Sequence, residues 1–359
     1  GGVPQGSILG PTLWNILYDD IMDINMGKEV ELICYADDLA VVVCADTKNR
    51  VIECGNQSLF LANTWMKLNK MSLAPEKTKS MFFGMSPKTK EAKYMLGHHK
   101  IKVETKVEYL GIVLDKGMTF AAEIQRASEK TKKTMRALTV LLPNTKGLSA
   151  DRKAVMCAAT LSILLYGAAM WQEAMYVERY KMWVMSAQRP MALRTASAYR
   201  TVSDAAVQVV AGTIPVHLLA LERKNLFRRR WEASVSAEVR KMEREATLDR
   251  WQTEWRAPGK GAWTRRLIRD VRTWKKRRWG QVGYHLTQCL TGHGCFMPYL
   301  EKIGNKSEGK CMYCDETDDA EHTIFLCHRW QRKRMETEMG VGTLSAENLV
   351  EKMLETKEN

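Results

Sequence analysis

The first 120 residues contain two stretches in which apolar positions recur with helical spacing. After Pro11, which follows a glycine and is typical of a first helical turn, the i, i+3 and i+4 spacing predicts a helix. Its apolar positions are Leu13, Trp14, Leu17, Ile21 and Ile24. A second helix is predicted over residues 51–68. Its apolar face comprises Leu59, Ala62, Trp65 and Met66.

Two continuous apolar runs lie between these helices. Residues 32–35 and 39–43 each have the length of a buried strand, and only Ala36, Asp37 and Asp38 separate them. The runs therefore predict a hairpin with two carboxylates at its tip. Short strand-like segments follow at residues 81–83 and 109–114. The order helix, strand, strand, helix, strand indicates an α+β fold for this part of the chain.

Residues 121–220 have a helical pattern with few strand signals. Breaks between helices are predicted at Pro143, Gly147, Pro190 and Pro215. The apolar run at residues 158–171 predicts one long buried helix. Because no run of about 18 apolar residues occurs anywhere in the sequence, no membrane span is predicted.

Positive charge is concentrated behind these predicted helices. The 359 residues include 55 Lys and Arg against 41 Asp and Glu, a formal net charge of +14. Residues 221–282 hold 19 Lys or Arg and 8 Asp or Glu, together with six of the eleven Trp. This composition predicts a polyanionic partner. Nine scattered cysteines do not suggest a disulfide framework, so we expect a reducing compartment, cytosol or nucleus.

The two adjacent carboxylates are an unfavourable choice for a hairpin tip. Two-residue turns favour Gly or Asn where φ is positive, and neighbouring like charges raise each other's proton affinity. A divalent cation between Asp37 and Asp38 would remove the repulsion, since Mg²⁺ prefers carboxylate and phosphate oxygens. The alternative is a solvated acidic loop, which the apolar strands on both sides disfavour.

Four motifs, in order along the chain, resemble those of reverse transcriptases. Tyr35-Ala36-Asp37-Asp38 resembles the YxDD box, and GVPQGSILGP at residues 2–11 resembles the block that precedes it. APEKTK at residues 74–79 resembles the lysine-bearing block, and Tyr109-Leu110-Gly111 resembles the turn that grips the primer end. Any one motif alone would be weak, but four in order predict an RNA-directed DNA polymerase.

This resemblance implies roles for particular residues. Asp37 and Asp38 would hold two catalytic Mg²⁺ ions, and of the two Asp37 is the preferred direct ligand. The other implied site residues are Gln5, Gly6 and Tyr35 in the nucleotide and template pocket, Lys77 near the triphosphate, and Tyr109, Leu110 and Gly111 at the primer end. The family takes a further catalytic aspartate from a strand ahead of the block at residues 2–11. We therefore expect these 359 residues alone to lack DNA polymerase activity, which would belong to the full polyprotein.

The carboxy-terminal part contains a candidate zinc site. Cys311-x2-Cys314-x7-His322-x4-Cys327 supplies three thiolates and an imidazole, a closed set suited to structural, tetrahedral Zn²⁺. His328 could replace the adjacent Cys327 as a ligand, but its spacing fits less well. His285, Cys289, His293 and Cys295 could form a second metal site, but their spacing is irregular. A packed turn that uses Gly292 and Gly294 is the preferred interpretation of this segment.

The cysteine spacing and the segments before it narrow the resemblance. Residues 199–203, 211–215 and 284–296 resemble segments of non-LTR retrotransposon polymerases, most closely those of arthropod elements that insert into ribosomal RNA genes. The resemblance implies template RNA, target and product DNA and dNTPs as partners, synthesis at a nicked chromosomal target, and a nuclear location. It also implies an upstream endonuclease. The sequence does not predict an oligomeric state.

The basic stretch predicts contacts with nucleic acid, since cations attract phosphates and flat rings stack on unpaired bases. The proposed contacts are Arg228, Arg229, Arg230, Lys275, Lys276, Arg277 and Arg278. A solvated helix face and tryptophans packed in a core are the alternative interpretation. Residues 275–278 also resemble a nuclear import signal.

The predicted organisation is therefore a partial right-hand polymerase palm at residues 1–120 and a helical thumb at 121–220. A basic Trp-rich region at 221–283, a zinc-knuckle region at 284–340 and a tail at 341–359 complete it. The alternative function is a non-catalytic nucleic-acid-binding module from a truncated element copy. Group II intron maturases and viral RNA polymerases are a third class, which the cysteine motif disfavours.

Overall fold

The computed structural model describes residues 6–84, 93–232, 234–302, 304 and 309–356. The chain divides into two compact units, Gly1–Phe120 and Ala121–Asn359, here called the first and second units. Helices and strands both occur, and the strands all lie in the first unit. The mixed α and β character predicted for the chain is confirmed.

The first unit combines two helices with short strand pairs. The helices are α1 (Gly10–Asp19), extended by a 3₁₀ turn at Asp20–Asp23, and α2 (Lys48–Leu68). The strands are β1 (Val30–Tyr35), β2 (Asp38–Val43), β3 (Ser80–Met81), β4 (Tyr94–Leu96), β5 (His99–Ile101), β6 (Val103–Glu104), β7 (Lys106–Tyr109) and β8 (Ile112–Asp115). β1–β2, β4–β5 and β7–β8 pair antiparallel, and β3–β6 pair parallel.

The helix predicted after Pro11 is present, and its predicted apolar face is confirmed in part. Tyr18 and Ile21 are buried, whereas Leu13 and Leu17 are exposed. Trp14 and Tyr18 are four residues apart and therefore share the face that meets β1 and α2. Three of the five predicted positions, Trp14, Ile21 and Ile24, thus pack in this core, while Tyr18 takes the inner place predicted for Leu13 and Leu17.

The prediction for α2 is confirmed in extent and orientation. Ala62 and Met66 are buried, and Leu59 and Trp65 are partly buried on the same face. The helix begins three residues before the predicted start, where the Thr47 hydroxyl accepts a hydrogen bond from the Arg50 amide at 3.3 Å. This side-chain cap satisfies a backbone donor that has no partner within the helix.

The predicted hairpin at residues 32–43 is also confirmed. β1 and β2 pair from Val30↔Val43 to Tyr35↔Asp38, and Leu32 points into the core of the first unit. The segment at residues 109–114 was predicted as one strand, which is wrong. Leu110 and Gly111 both have positive φ and form a two-residue turn that separates β7 from β8.

The second unit is helical in its described part. Its helices are α3 (Ala121–Thr139), α4 (Ala150–Leu164), α5 (Ala168–Trp171), α6 (Glu178–Thr195), α7 (Asp204–Val210), α8 (Val216–Glu232), α9 (Ala237–Arg256), α10 (Ala262–Leu267), α11 (Val271–Lys276), α12 (Tyr284–Thr291), α13 (Met297–Lys302), α14 (Gln331–Val341) and α15 (Leu349–Glu355). The largest core cluster takes residues from Ala150 to Val350. Residues from each segment predicted after residue 120 therefore meet in one core.

Two helix predictions in this unit are wrong. The apolar run at 158–171 is not one helix, because Gly167 has φ +62° and separates α4 from α5. Pro190, predicted as a break, lies inside α6. No single helix in the described part of the chain could span a membrane. By length and composition alone, one pair bent by 60°, Ala150–Leu164 with Ala168–Tyr176, passes that test.

Candidate functional site

The tip of the β1–β2 pair, here called the carboxylate hairpin, is a two-residue turn made by Ala36 and Asp37. Ala36 has φ +52°, and Asp38 is already the first residue of β2, opposite Tyr35. A positive φ at the first turn position favours glycine over residues that carry a Cβ. For alanine this conformation costs about 1 kcal/mol. Asp37, Asp38 and Tyr35 are all exposed at this tip.

Aromatic residues of α1 support the turn from below. The Trp14 indole N–H donates a 2.7 Å hydrogen bond to the Ala36 carbonyl. The Trp14 ring stacks on Tyr18 at a centroid distance of 5.1 Å, and Tyr18 meets Trp65 of α2 edge-on at 6.0 Å. The sequence analysis assigned Trp14 only to an apolar face. The four-residue spacing between Trp14 and Tyr18 could have indicated that the two rings share a helix face. No pattern in the sequence indicates the hydrogen bond from Trp14 to Ala36, since the two residues lie on different elements.

Two buried tyrosine hydroxyls lie close to the aspartates. Burial, followed by the negative charges of Cys34, Asp37 and Asp38, raises the pKa of Tyr18 to about 12. Burial and then Asp38 also raise the pKa of Tyr109. Neither hydroxyl has a hydrogen-bond partner within the described residues. Leu110 and Gly111 follow Tyr109 in the β7–β8 turn, so the residue on which the charge of Asp38 acts borders the motif predicted at the primer end.

The remaining residues predicted for this site have different placements. Gln5 lies outside the described residues. Gly6 has φ +87°, a conformation that glycine adopts without strain, just before α1. Lys77 is exposed in the turn 75–77 that leads to β3. These placements neither add a ligand to the carboxylate hairpin nor contradict the predicted roles.

A second candidate site is the cysteine cluster, formed by Cys311, Cys314, His322 and Cys327. One ligand atom from each residue lies within 4.8 Å of the others. The Cys327 sulfur is 3.8 Å from that of Cys311 and 3.7 Å from that of Cys314. Two thiolates on a tetrahedral zinc ion, with Zn–S bonds of about 2.3 Å, are about 3.8 Å apart. The sulfur spacing therefore fits zinc.

The imidazole and its neighbours also fit a closed metal site. His322 is 5% exposed, and its Nε2 has no hydrogen-bond partner within the described residues. The His328 backbone N–H donates to the Cys314 sulfur at 3.2 Å, so His328 supports the cluster instead of replacing a ligand. Burial raises the pKa of the Cys327 thiol, which a bound cation would oppose.

The cluster is attached to the core of the second unit. Arg266 donates to both carboxylate oxygens of Glu321 at 2.7 and 2.8 Å and also bonds Glu347. The disfavoured site at residues 285–295 has the packed turn that was expected. Gly292 ends α12 with φ +67°, and a side chain at Gly294 would collide with Gln288.

The predicted basic contacts are largely engaged within the chain. Arg228, Arg229 and Lys276 form ion pairs with Glu173, Glu243 and Glu245. Lys275 donates to the Gly212 carbonyl at 2.8 Å, and Arg277 donates to the Trp274 carbonyl at 2.6 Å. Burial lowers the pKa of both Lys275 and Arg277. Arg230 and Arg278 are exposed. Phosphate contact by this set stays a prediction.

Three tryptophans of the basic stretch form core, as the alternative interpretation proposed. Trp251, Trp255 and Trp274 are at most 3% exposed. The indole N–H groups of Trp255 and Trp274 donate to the carbonyls of Ile268 and Val210. Arg277 lies 4.1 Å over the Trp274 ring. These three rings are therefore closed to stacking with bases.

Exposed rings and cations occur together beside the cysteine cluster, on a surface here called the knuckle face. It comprises Tyr313, Arg329, Trp330 and Lys333. The Arg329 guanidinium lies 4.5 Å from the Tyr313 ring centroid and 5.4 Å from that of Trp330, and Lys333 lies 5.9 Å from Trp330. Tyr313 is 50% exposed and Trp330 is 40% exposed. The sequence analysis did not identify this surface.

Comparison with known proteins agrees with the carboxylate hairpin motif. Residues 1–114 match the family model described as reverse transcriptase (RNA-dependent DNA polymerase). No solved structure matches the chain.

Curated relatives extend the similarity beyond residue 114. A retrovirus-related Pol polyprotein from a type-1 retrotransposable element of Nasonia vitripennis is 28% identical over 95% of this chain and 88% of its own length. A similarly named protein of Bradysia coprophila is 24% identical over 93% of this chain, which spans only 35% of that relative. A probable RNA-directed DNA polymerase from a Drosophila melanogaster transposon is 31% identical over 47% of this chain and 20% of its own length. Residues 1–114 thus belong to the reverse transcriptase family, and the chain is a relative of the Pol polyproteins of type-1, non-LTR retrotransposable elements.

Proposed function

We propose that the chain is part of an RNA-directed DNA polymerase that copies element RNA into DNA at a nicked chromosomal target. The observation that supports this proposal most is the carboxylate hairpin, which presents the consecutive residues Asp37 and Asp38 at an exposed tip. This tip lies within the segment that matches the reverse transcriptase family. In this proposal the first unit is a partial palm, and the helices from α3 onward begin the thumb.

The chemistry of the tip is suited to metal-assisted nucleotidyl transfer. Adjacent exposed carboxylates are hard oxygen donors, so they fit Mg²⁺, which would neutralise the charge that develops on the transferring phosphoryl group. The proposed roles of the surrounding residues are those implied by the family resemblance. Gln5, Gly6 and Tyr35 contact template and nucleotide, Lys77 meets the triphosphate, and the turn at Tyr109, Leu110 and Gly111 holds the primer end.

We assign a structural Zn²⁺ to the cysteine cluster. The support is the sulfur spacing, the buried His322 nitrogen without a partner among the described residues, and a set of four grouped ligand atoms, the number that a structural zinc site needs. Zinc at this site would hold residues 311–327 as one rigid element next to α14.

Nucleic acid is the proposed partner of the second unit, and the knuckle face is the surface best placed for single strands. Its two rings are exposed for stacking, and its two cations flank them at distances that leave phosphate within reach. Trp330 and Lys333 also line a depression of about 270 Å³ between residues 323–324 and α14. A nuclear location belongs to the same proposal, although Lys275 and Arg277 of the basic run are engaged internally.

The test of the polymerase proposal is primer extension on an RNA template by a longer polyprotein that contains these residues. Asp37→Asn and Asp38→Asn are each expected to lower the rate at least about 100-fold, because each removes a metal-binding charge. Asp46→Asn is the matched control, since Asp46 is an exposed carboxylate just after β2.

A non-catalytic binding module is the second candidate, and the charge distribution supports it. The second unit carries the whole net charge of +14, whereas the first unit has equal numbers of acidic and basic residues. Extension that is unchanged in Asp37→Asn and Asp38→Asn, with nucleic-acid binding intact, would favour this module and contradict the polymerase assignment.

A further inference from the structure

The turn that carries the two aspartates is held by a side chain from another element. The Trp14 indole N–H on α1 donates to the Ala36 carbonyl at 2.7 Å, across 22 residues of sequence. That carbonyl belongs to the planar peptide unit that joins Ala36 to Asp37. Fixing its direction therefore also fixes the plane from which the Asp37 backbone departs.

Ala36 needs such support because its backbone is in a conformation that alanine disfavours. Its φ of +52° is the left-handed region, where a Cβ crowds the following carbonyl. The β1–β2 ladder ends at Tyr35↔Asp38, so the two turn residues lie beyond the last strand pair. A rotation of this peptide would change ψ of Ala36 and φ of Asp37, and would therefore redirect the carboxylates that follow.

Trp14 is itself held in place. Its ring stacks on Tyr18 at 5.1 Å, and Tyr18 is 5% exposed and packed against Trp65 of α2. The indole N–H is thus presented by a rigid aromatic stack, and the hydrogen bond needs little further ordering of side chains.

We propose that Trp14 is a positioning residue for Asp37 and Asp38: its indole N–H holds the Ala36 peptide in the left-handed turn that places both carboxylates for one metal site. This inference rests on the proposed function, in which the aspartates bind Mg²⁺. The indole acts through the backbone and does not touch the metal.

The experiment uses the full 359-residue chain and Mn²⁺ alone as a paramagnetic probe of the aspartates. Trp14→Phe keeps the stacked ring and removes the N–H. It is expected to weaken Mn²⁺ affinity about three- to tenfold, the range of one lost hydrogen bond. Amide hydrogen exchange in the peptide spanning residues 35–39 should speed up by a similar factor, while exchange in α2 stays unchanged.

A second substitution separates turn support from general packing. Ala36→Gly in the Trp14→Phe background removes the steric cost of positive φ, so it should restore both Mn²⁺ affinity and slow exchange. Trp183→Phe is the matched control, because it makes the same exchange on α6 of the second unit, where Trp183 contacts Arg179 and Tyr180 and takes no part in this stack. It should leave both measurements at wild-type values.

The possible results separate this inference from the proposed function. Asp37→Asn reports on the metal site, and Mn²⁺ affinity equal to wild type in that variant would overturn both. Loss of affinity in Asp37→Asn with wild-type affinity and exchange in Trp14→Phe would leave the metal site standing and overturn the role of Trp14. Failure of Ala36→Gly to restore affinity would likewise contradict support of the turn.

Discussion

At the scale of single residues, the interior of the second unit holds a lysine. Lys153 on α4 is 2% exposed, and its ammonium donates 2.8 Å hydrogen bonds to the Pro143 carbonyl and the Ser197 hydroxyl. Burial, followed by the positive charge of Arg194, lowers the pKa of Lys153 below 10.5. Both acceptors are neutral. The cation therefore joins the α3–α4 connection to the end of α6, and these two hydrogen bonds involve no carboxylate.

Stability should therefore rise with pH through the alkaline range on account of Lys153. Its folded-state pKa is below the unfolded value, so the unfolded chain binds more protons in the window between the two values, which ends near 10.5. The measurement is urea unfolding between pH 8 and 10.5 for wild type and Lys153→Met. Wild type should gain stability relative to the variant across this window, since all other titrating groups are shared. A pH-independent difference would contradict the assignment.

At the scale of elements, one unusual turn explains how the cysteine cluster closes. Residues His322–Leu326 form a π-helical turn, in which the Cys327 N–H donates to the His322 carbonyl at 2.7 Å. Five residues of α-helix would rotate two side chains about 140° apart, whereas a π turn returns to the same side after five. With four residues between them, His322 and Cys327 are thus brought toward one side by this local conformation.

Zinc binding by this element is predicted to be stoichiometric and stabilising. The purified chain should contain one equivalent of zinc, and Cys327→Ser should lose most of it and lower the thermal midpoint, because the ion crosslinks residues 311–327. Cys295→Ser is the control, since Cys295 is an exposed cysteine of the same unit outside the cluster. Metal content and the midpoint of unfolding are the measurements. Equal zinc in both variants would contradict the ligand assignment.

At the scale of the whole molecule, charge and candidate chemistry are separated. The carboxylate hairpin lies in the electrically balanced first unit, and the excess of Lys and Arg lies entirely in the second. Many of those cations are used internally, as in the pairs Arg229–Glu243, Arg244–Glu222 and Arg266–Glu321. Net charge therefore predicts a polyanionic partner for the second unit but does not identify the contacting residues.

Binding of a single-stranded oligonucleotide tests whether the knuckle face, and not the other basic residues of the second unit, contacts nucleic acid. Arg329→Ala with Lys333→Ala should weaken binding and reduce the magnitude of the salt slope by about 1.4, since each phosphate contact contributes about 0.7. Lys130→Ala with Lys133→Ala removes the same charge from an exposed face of α3 and should leave the slope unchanged. Fluorescence anisotropy with labelled RNA and DNA strands between about 50 and 200 mM salt is the measurement. Equal slopes in the two double variants would contradict the assignment to this face.

The sequence by itself determined the features that depend on neighbours along the chain. Apolar runs on both sides of Asp37 and Asp38 predicted the hairpin, the face of α2 followed from spacing, and the ligand order from Cys311 to Cys327 named the metal cluster. Each of these depends on local periodicity or on a short motif, which a linear pattern contains.

Only the tertiary structure decided the features that depend on contacts between distant segments. It joined the Trp14 indole to the Ala36 carbonyl, buried Trp274, and bonded Lys275 to the Gly212 carbonyl. The exposure of Leu13 and Leu17 was also decided there, because packing against β1 and α2 turns Trp14 and Tyr18 inward instead. The physical reason is shared by these cases: a side chain's burial and hydrogen-bond partner are properties of the surface it meets, and that surface is distant in sequence.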